Sequence, residues 1–283
     1  MNWYARRSSC ALLWTNDHKV FYTRGTIVAI HQTAIIDPKA ELASDVTVGA
    51  YTIIEEDVVI GPGCSIGSNA LIAAGTRMDK NVKIHHGAVV GTVPQDLKFG
   101  GEKTTFEIGE NTEIREYCVL NRGTEDREKS SIGSNCFLMA YAHVAHDCII
   151  GNNVILANGV QLGGHVTIGD WVIIGGLTAV HQFSKIGMHA FIGGGLRVTQ
   201  DVPPFVLAAG EPLTYKGLNV VGLRRRGFSN ETIRELQRCY RLLYRSKMNI
   251  SQAREKIEQD KDMREEVKSV LEFIDASNRG IIR

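Results

Sequence analysis

Aliphatic residues recur at every sixth position along most of this chain. Ile30, Ile36, Leu42, Val48 and Ile54 open the series, and Ile174, Val180, Ile186, Ile192 and Val198 close it. Of the 29 sixth positions in that span, 26 are aliphatic; the exceptions, Asp96, Glu102 and Asp126, all lie in segments 91–105 and 122–130. A helix repeats every 3.6 residues and a half-buried strand every two, so neither accounts for this period. Two positions before each aliphatic the side chain is usually small, as at Ala34, Thr52, Cys64, Ala142 and Cys148. The hexad predicts a mainly β protein, a parallel β-helix. Three hexads make one triangular coil, the coils stack about 4.8 Å apart, and the aliphatics fill the interior.

The two interruptions read as loops thrown out from the solenoid, and loops are where function concentrates. The expected organisation is a β-helix over 28–205, with loops 91–105 and 122–130, and a C-terminal α-helical domain over 206–283. Asp201-Val202-Pro203-Pro204 suits the solenoid exit. Beyond it, Ser229 is placed to cap a helix whose one face carries Ile233, Leu236, Tyr240, Leu243 and Tyr244. A second short helix is expected after Ser251, and Asp262 with Glu265 forms a capping-box-like pair before Val267 and Val270. Residues 1–27 stand outside the repeat and read as an N-terminal extension, with organelle import by them a minor alternative.

Composition narrows the function classes. The 283 residues carry a net charge of +1, with 29 glycines and only 7% aromatics. This argues against a basic nucleic-acid binder and against a disordered chain. No apolar run approaches the roughly 18 residues of a membrane span, so no stable membrane insertion is expected. Six cysteines without CxxC spacing read as reduced thiols, which points to a cytoplasmic protein. Twelve of the glycines directly follow a ladder aliphatic, where a corner asks for unusual backbone angles or close approach. Residues 206–283 hold 16 Lys/Arg against 11 Asp/Glu, so the near-neutral chain has a basic end.

In a coil of 18 residues, positions 18 apart lie one above another. His146, Gly164 and Gln182 share one column, and Asp147, His165 and Phe183 the next. His143 and His181 flank them, and all four histidines avoid the inward phase. A histidine is a suitable general base near neutral pH, Asp147 is placed to orient it, and the Gly164 N–H is available to a developing oxyanion. Polar packing between subunits and metal binding are the rival readings of this cluster. Cys148 takes the small inward site and should be buried and inert.

Taken together, several segments resemble the bacterial acyl-carrier-protein:UDP-N-acetylglucosamine O-acyltransferases that begin lipid A synthesis. They are Gln95-Asp96-Leu97-Lys98, Ala142-His143-Val144-Ala145-His146-Asp147-Cys148, Gly163-Gly164-His165-Val166, Ala179-Val180-His181-Gln182-Phe183, Asp201-Val202-Pro203-Pro204 and Gly222-Leu223-Arg224-Arg225-Arg226-Gly227-Phe228. The resemblance runs from about Ile30 to Arg283. It implies left-handed coiling and a homotrimer with active sites between adjacent solenoids. It also implies transfer of an (R)-3-hydroxyacyl chain from acyl carrier protein to the sugar 3-hydroxyl, with no cofactor beyond the donor's phosphopantetheine arm and no metal.

By the same resemblance, His146 is the general base, Asp147 its partner and Gly164 the oxyanion donor. Asp96, Lys98 and His143 resemble groups that hold the glucosamine, and His181 one near the sugar nucleotide. His165 and Gln182 resemble residues lining the acyl or pantetheine region. Asn219, Arg225 and Arg226 resemble acyl-donor or phosphate contacts. Gly194, with Gly176 and Phe191, resembles the set that limits acyl length; the lean Asn158–Gly176–Gly194 column implies a long chain.

Three rivals remain at this point. Another hexapeptide-repeat acyltransferase, such as the later N-acyltransferase of lipid A synthesis, is expected to need more chain before the ladder. A trimeric zinc hydratase of the gamma carbonic anhydrase type would use histidines as ligands. A non-catalytic scaffold would tolerate loss of His146.

Overall fold

A computed structural model describes residues 30–246, 248–259 and 262–283; the extension expected over 1–27 lies outside the described residues. The hexads wind into a left-handed parallel β-helix. Among the described residues its strands, mostly two residues long, stack into three sheets of nine, eight and ten strands. Ladder residues such as Ile72, Ile114, Leu138, Leu156 and Ile174 are fully buried, together with the small residues two positions earlier, Val58, Cys118, Ala142 and Val160. Each large aliphatic contributes about 1.5–3 kcal/mol by leaving water.

Strand pairing shows how the loops are accommodated. Ile35 pairs with Ile53 and Ile149 with Thr167, each 18 residues on. Val89 pairs with Val119, 30 residues on, so the first interruption adds twelve residues. Glu113 pairs with Phe137, 24 on, so the second adds six. Both are whole hexads, which is why the aliphatic phase resumes after each.

The corners divide two tasks between two positions. Three residues past most ladder positions the backbone is left-handed, as at Asn69 (φ 55°), Asp147 (59°), His165 (62°) and Phe183 (64°). Few side chains accept that conformation, and Asn, Asp and His are enriched among those that do. The glycines directly after the ladder residues, apart from Gly91, are not at positive φ. Their reason is close approach: a Cβ at Gly163 would meet the Gln182 N at 2.8 Å, and one at Gly169 the Met188 N at 2.6 Å.

The solenoid does not stop at 205. Val206–Ala209 pairs in parallel with Phe191–Ile192, and Thr214–Leu218 then pairs with it antiparallel. One sheet is therefore extended by two strands before the first helix begins. Among the described residues four helices follow: α1 (Val220–Arg225), α2 (Asn230–Arg245), α3 (Ile250–Glu258) and α4 (Glu265–Ala276). Ser229 caps α2 through its hydroxyl, as its position predicts. The capping box belongs to α3, between Asn249 and Gln252; α4 starts after Arg264 without a side-chain cap, so the Asp262/Glu265 expectation is corrected. The Tyr240 hydroxyl of α2 donates to Pro204 O, and Ile281 returns to bridge Asp201. The helices are thereby anchored to the last coil.

Candidate active site

His146 and Asp147 occupy the turn between strands His143–Val144 and Ile149–Ile150. Turn-to-turn hydrogen bonds fix the column above them: His165 N–H donates to His146 O at 2.9 Å and Phe183 N–H to Gly164 O at 3.0 Å. Asp147 is fully buried. A buried carboxylate is tolerated only when its oxygens are well supplied with donors. Here His146 Nδ1–H donates to Oδ2 at 2.7 Å, the Thr124 hydroxyl to Oδ2 at 2.7 Å, and the Thr124 N–H to Oδ1 at 2.9 Å. Burial pushes the Asp147 carboxyl up, but these hydrogen bonds outweigh it and hold the group below its usual range. An ionised carboxylate accepts only, so the proton of a neutral His146 sits on Nδ1 and Nε2 presents its lone pair.

That Nε2 faces a confined space. Asp96 Oδ2, from the first loop, lies 4.0 Å away. Gly164 packs on the ring so closely that a Cβ there would sit 2.7 Å from Nε2. Among the described residues, nothing accepts the Gly164 N–H. His143 donates Nδ1–H to Val119 O at 3.0 Å, and burial lowers its pKa, leaving a neutral ring whose Nε2 can accept from a ligand. The chain thus brings His143, His146, Asp147, Gly164, His165 and Asp96 together.

His165 is nearer the dyad than a lining role suggests. Its Nε2 lies 3.6 Å from Asp147 Oδ2 and 3.7 Å from Asp126 Oδ2, and its ring stacks on Phe183 with centroids 4.4 Å apart. Burial lowers its pKa. His181 and Gln182 are exposed on the next coil, and Lys98 is exposed on the first loop. Cys148 is buried, its thiol pushed up to about 12 by desolvation, which removes it as a nucleophile.

Other expected residues lie elsewhere. Asn219 is buried, and both ends of its amide are used internally: Oδ1 caps α1 through Gly222 N–H, and Nδ2 donates to His189 O. Asn219 therefore anchors the start of α1 to the His189 corner, in addition to the contact that the resemblance implies for it. Arg226 sits over Trp171, 5.1 Å from the ring centroid, and meets His189 Nδ1 at 3.3 Å. Arg225 is exposed at the end of α1. Gly176 and Gly194 do form one column, since a Cβ on Gly194 would lie 3.0 Å from Gly176 O. That column and Phe191 belong to the third corner and its sheet, one corner beyond Trp171 and His189 and two beyond His146.

The pattern missed Thr124, Asp126 and Arg127, all in the second loop. Arg127 Nη1 donates to Asp147 O at 2.7 Å. Only the broken ladder at position 126 signals that this loop folds onto the site. Ligand-type atoms of His146, Asp147 and His165 lie within 4.8 Å of one another, the kind of cluster a cation can use. The dyad already engages them: Asp147 is supplied with three donors, and His146 Nδ1 carries the proton of that pair.

Stacked hexads with an oriented imidazole held at a turn define a hexapeptide-repeat transferase, and the comparisons agree. A family model for bacterial transferase hexapeptide repeats matches residues 129–164, and one for UDP N-acetylglucosamine O-acyltransferase domain 2 matches 201–282. The chain is 52% identical to the acyl-[acyl-carrier-protein]–UDP-N-acetylglucosamine O-acyltransferase of Paracidovorax citrulli, over 90% of this chain and 99% of that protein. It is 45% identical to that of Thiobacillus denitrificans, over 91% and 100%. The crystal structure of the UDP-N-acetylglucosamine acyltransferase from Bacteroides fragilis superposes with a TM-score of 0.88 at 42% identity, covering 90% of this chain and all of that one. The chain belongs to the acyl-[acyl-carrier-protein]–UDP-N-acetylglucosamine O-acyltransferase family.

Proposed function

We propose that this protein transfers an (R)-3-hydroxyacyl chain from acyl carrier protein to the 3-hydroxyl of UDP-N-acetylglucosamine, the first step of lipid A synthesis. The observation that carries this is the His146–Asp147 pair with the unengaged Gly164 N–H against its ring. His146 Nε2 removes the hydroxyl proton as the sugar oxygen attacks the thioester carbonyl. The Gly164 N–H donates to the resulting oxyanion. On collapse the C–S bond breaks, and the leaving sulfur takes the proton back from His146. Asp147 stays ionised and stabilises the transient imidazolium. Asp96, Lys98 and His143 hold the sugar, and His181 lies near the nucleotide. No step requires a metal or organic cofactor besides the donor's own arm, so a chelator should leave the rate unchanged.

The active form is a homotrimer. Leu177 and Tyr141 stand exposed on the third corner and Phe183 on the His146 corner, apolar groups that a neighbour would cover. The acyl-length residues also lie away from His146 within one chain, and a second copy would bring the two corners together. The acidic carrier protein has a complementary surface on α2, where Arg234, Arg238, Arg241 and Arg245 are exposed on one face. Among the described residues no helix is long and apolar enough to cross a membrane, which is consistent with a cytoplasmic enzyme.

The deciding assay incubates the protein with UDP-N-acetylglucosamine and hydroxyacyl carrier protein, with His146→Ala alongside. Wild type should form the 3-O-ester and the variant should lose at least about 100-fold in rate. Absence of ester from wild type sinks the reaction; an undiminished variant sinks only the base assignment.

A further inference from the structure

Asp147 is oriented by a residue that neither the repeat nor the family motif segments contain. We infer that Thr124 is a positioning residue for the catalytic pair, holding the Asp147 carboxylate in line with His146 Nδ1 through two simultaneous hydrogen bonds. This rests on His146 acting as the base.

The geometry is specific to that task. Thr124 is buried and comes from the second interruption of the solenoid, on the coil before Asp147. Its N–H takes Oδ1 at 2.9 Å and its hydroxyl takes Oδ2 at 2.7 Å, so both carboxylate oxygens are held by one residue. The hydroxyl has its proton committed to Asp147 and accepts from Asp126 N–H at 3.3 Å. Arg127 fastens the same loop to the Asp147 backbone carbonyl. With its plane fixed, the carboxylate can receive the Nδ1–H of His146 in one orientation only.

The hydroxyl has a second effect. It shares Oδ2 with the imidazole, so it takes up part of the negative charge that would otherwise act on the protonated ring. The other groups facing this pair are Asp96 on the first loop, His143 on the preceding strand, His165 one coil on, and Asp126 and Arg127 on the second loop. None of them donates a hydrogen bond to Asp147 Oδ2 as Thr124 does. Without the hydroxyl, Oδ2 loses a hydrogen-bond donor and more of its charge acts on the His146 ring.

The test compares Thr124→Ala and Thr124→Ser with wild type and with His146→Ala, measuring kcat, KM and the pH–rate profile. The alanine variant should lose roughly 10- to 100-fold in kcat, the range for a hydrogen bond to a charged group. Its KM for the sugar nucleotide should stay within about 3-fold of wild type. The acid limb of its profile should move to higher pH. The serine variant, which restores the hydroxyl without the methyl, should regain most of the rate and the original limb. An alanine variant that matches wild type overturns the inference. So does a loss of rate with the limb unmoved, or a serine variant no better than alanine, since either would make the residue a matter of packing. An active His146→Ala variant would instead overturn the base on which the inference depends.

Discussion

Gly164 stands against the imidazole of His146 so closely that a methyl group on its Cα would lie 2.7 Å from both Cε1 and Nε2 of the ring. The residue is buried, yet its φ is not in the left-handed region, so the backbone itself would accept alanine. What glycine secures here is room for the ring beside a free N–H. Gly164→Ala should therefore fold with nearly the wild-type Tm and lose about 100-fold or more in kcat, because the ring must move. An active alanine variant would separate Gly164 from the chemistry.

A different glycine governs what fits, on the proposed assignment. Gly194 is exposed and stacks on Gly176, leaving a strip without side chains along the third corner. Gly194→Met should shift donor preference from long hydroxyacyl chains to shorter ones, with the sugar-nucleotide KM little changed. The check is a competition assay across donor lengths, and an unaltered profile rejects the assignment.

His189 gives the fold a pH dependence separate from catalysis. Desolvation, then the nearby Arg226, lowers its pKa from 6.5 to about 4. Between those values the unfolded chain binds a proton that the folded chain does not. Stability therefore falls as pH drops from 6.5 towards 4, by at most about 3 kcal/mol. Chemical unfolding at pH 7.5 and pH 5 should show this slope in wild type and a flatter one in His189→Gln. An equal slope in both would place the effect elsewhere.

The exposed arginines of α2 should matter for the macromolecular substrate alone. Among the described residues, Arg234, Arg241 and Arg245 have no carboxylate within ion-pair distance, while Arg238 meets Glu235 at 3.7 Å. Arg241→Glu with Arg245→Glu should raise the KM for acyl carrier protein by about 10-fold or more and flatten its salt dependence. The KM for the sugar nucleotide should not move. Equal effects on both substrates would indicate a damaged fold.

Much of the solenoid was legible because its code has two states, inward or outward, repeated every sixth residue. That phase placed His146, Asp147 and Gly164 in adjacent columns and buried Cys148. The left-handed position of Asp147 was not legible, because the repeat marks ladder residues and the corner position carries many residue types. Thr124 and Arg127 were hidden for a related reason: they sit where the period fails, and an aperiodic segment gives no direction for its side chains. Val206–Ala209 was missed because one last strand followed by a hairpin leaves no repeat to count. Asn219 is marked by resemblance alone; that its amide also ties the start of α1 to His189 O leaves no trace in the repeat.

The twelve and six residues added by the two loops make the ladder behave like a reading frame. A whole-hexad insertion leaves every later residue facing the way it did before, so a coil can acquire chemistry without disturbing those above it. A single-residue deletion between Ser131 and Val198 would turn each following aliphatic towards solvent and each polar face inward. Diversity in this architecture can thus enter in quanta of six, and both insertions found here supply residues to the same imidazole–carboxylate pair.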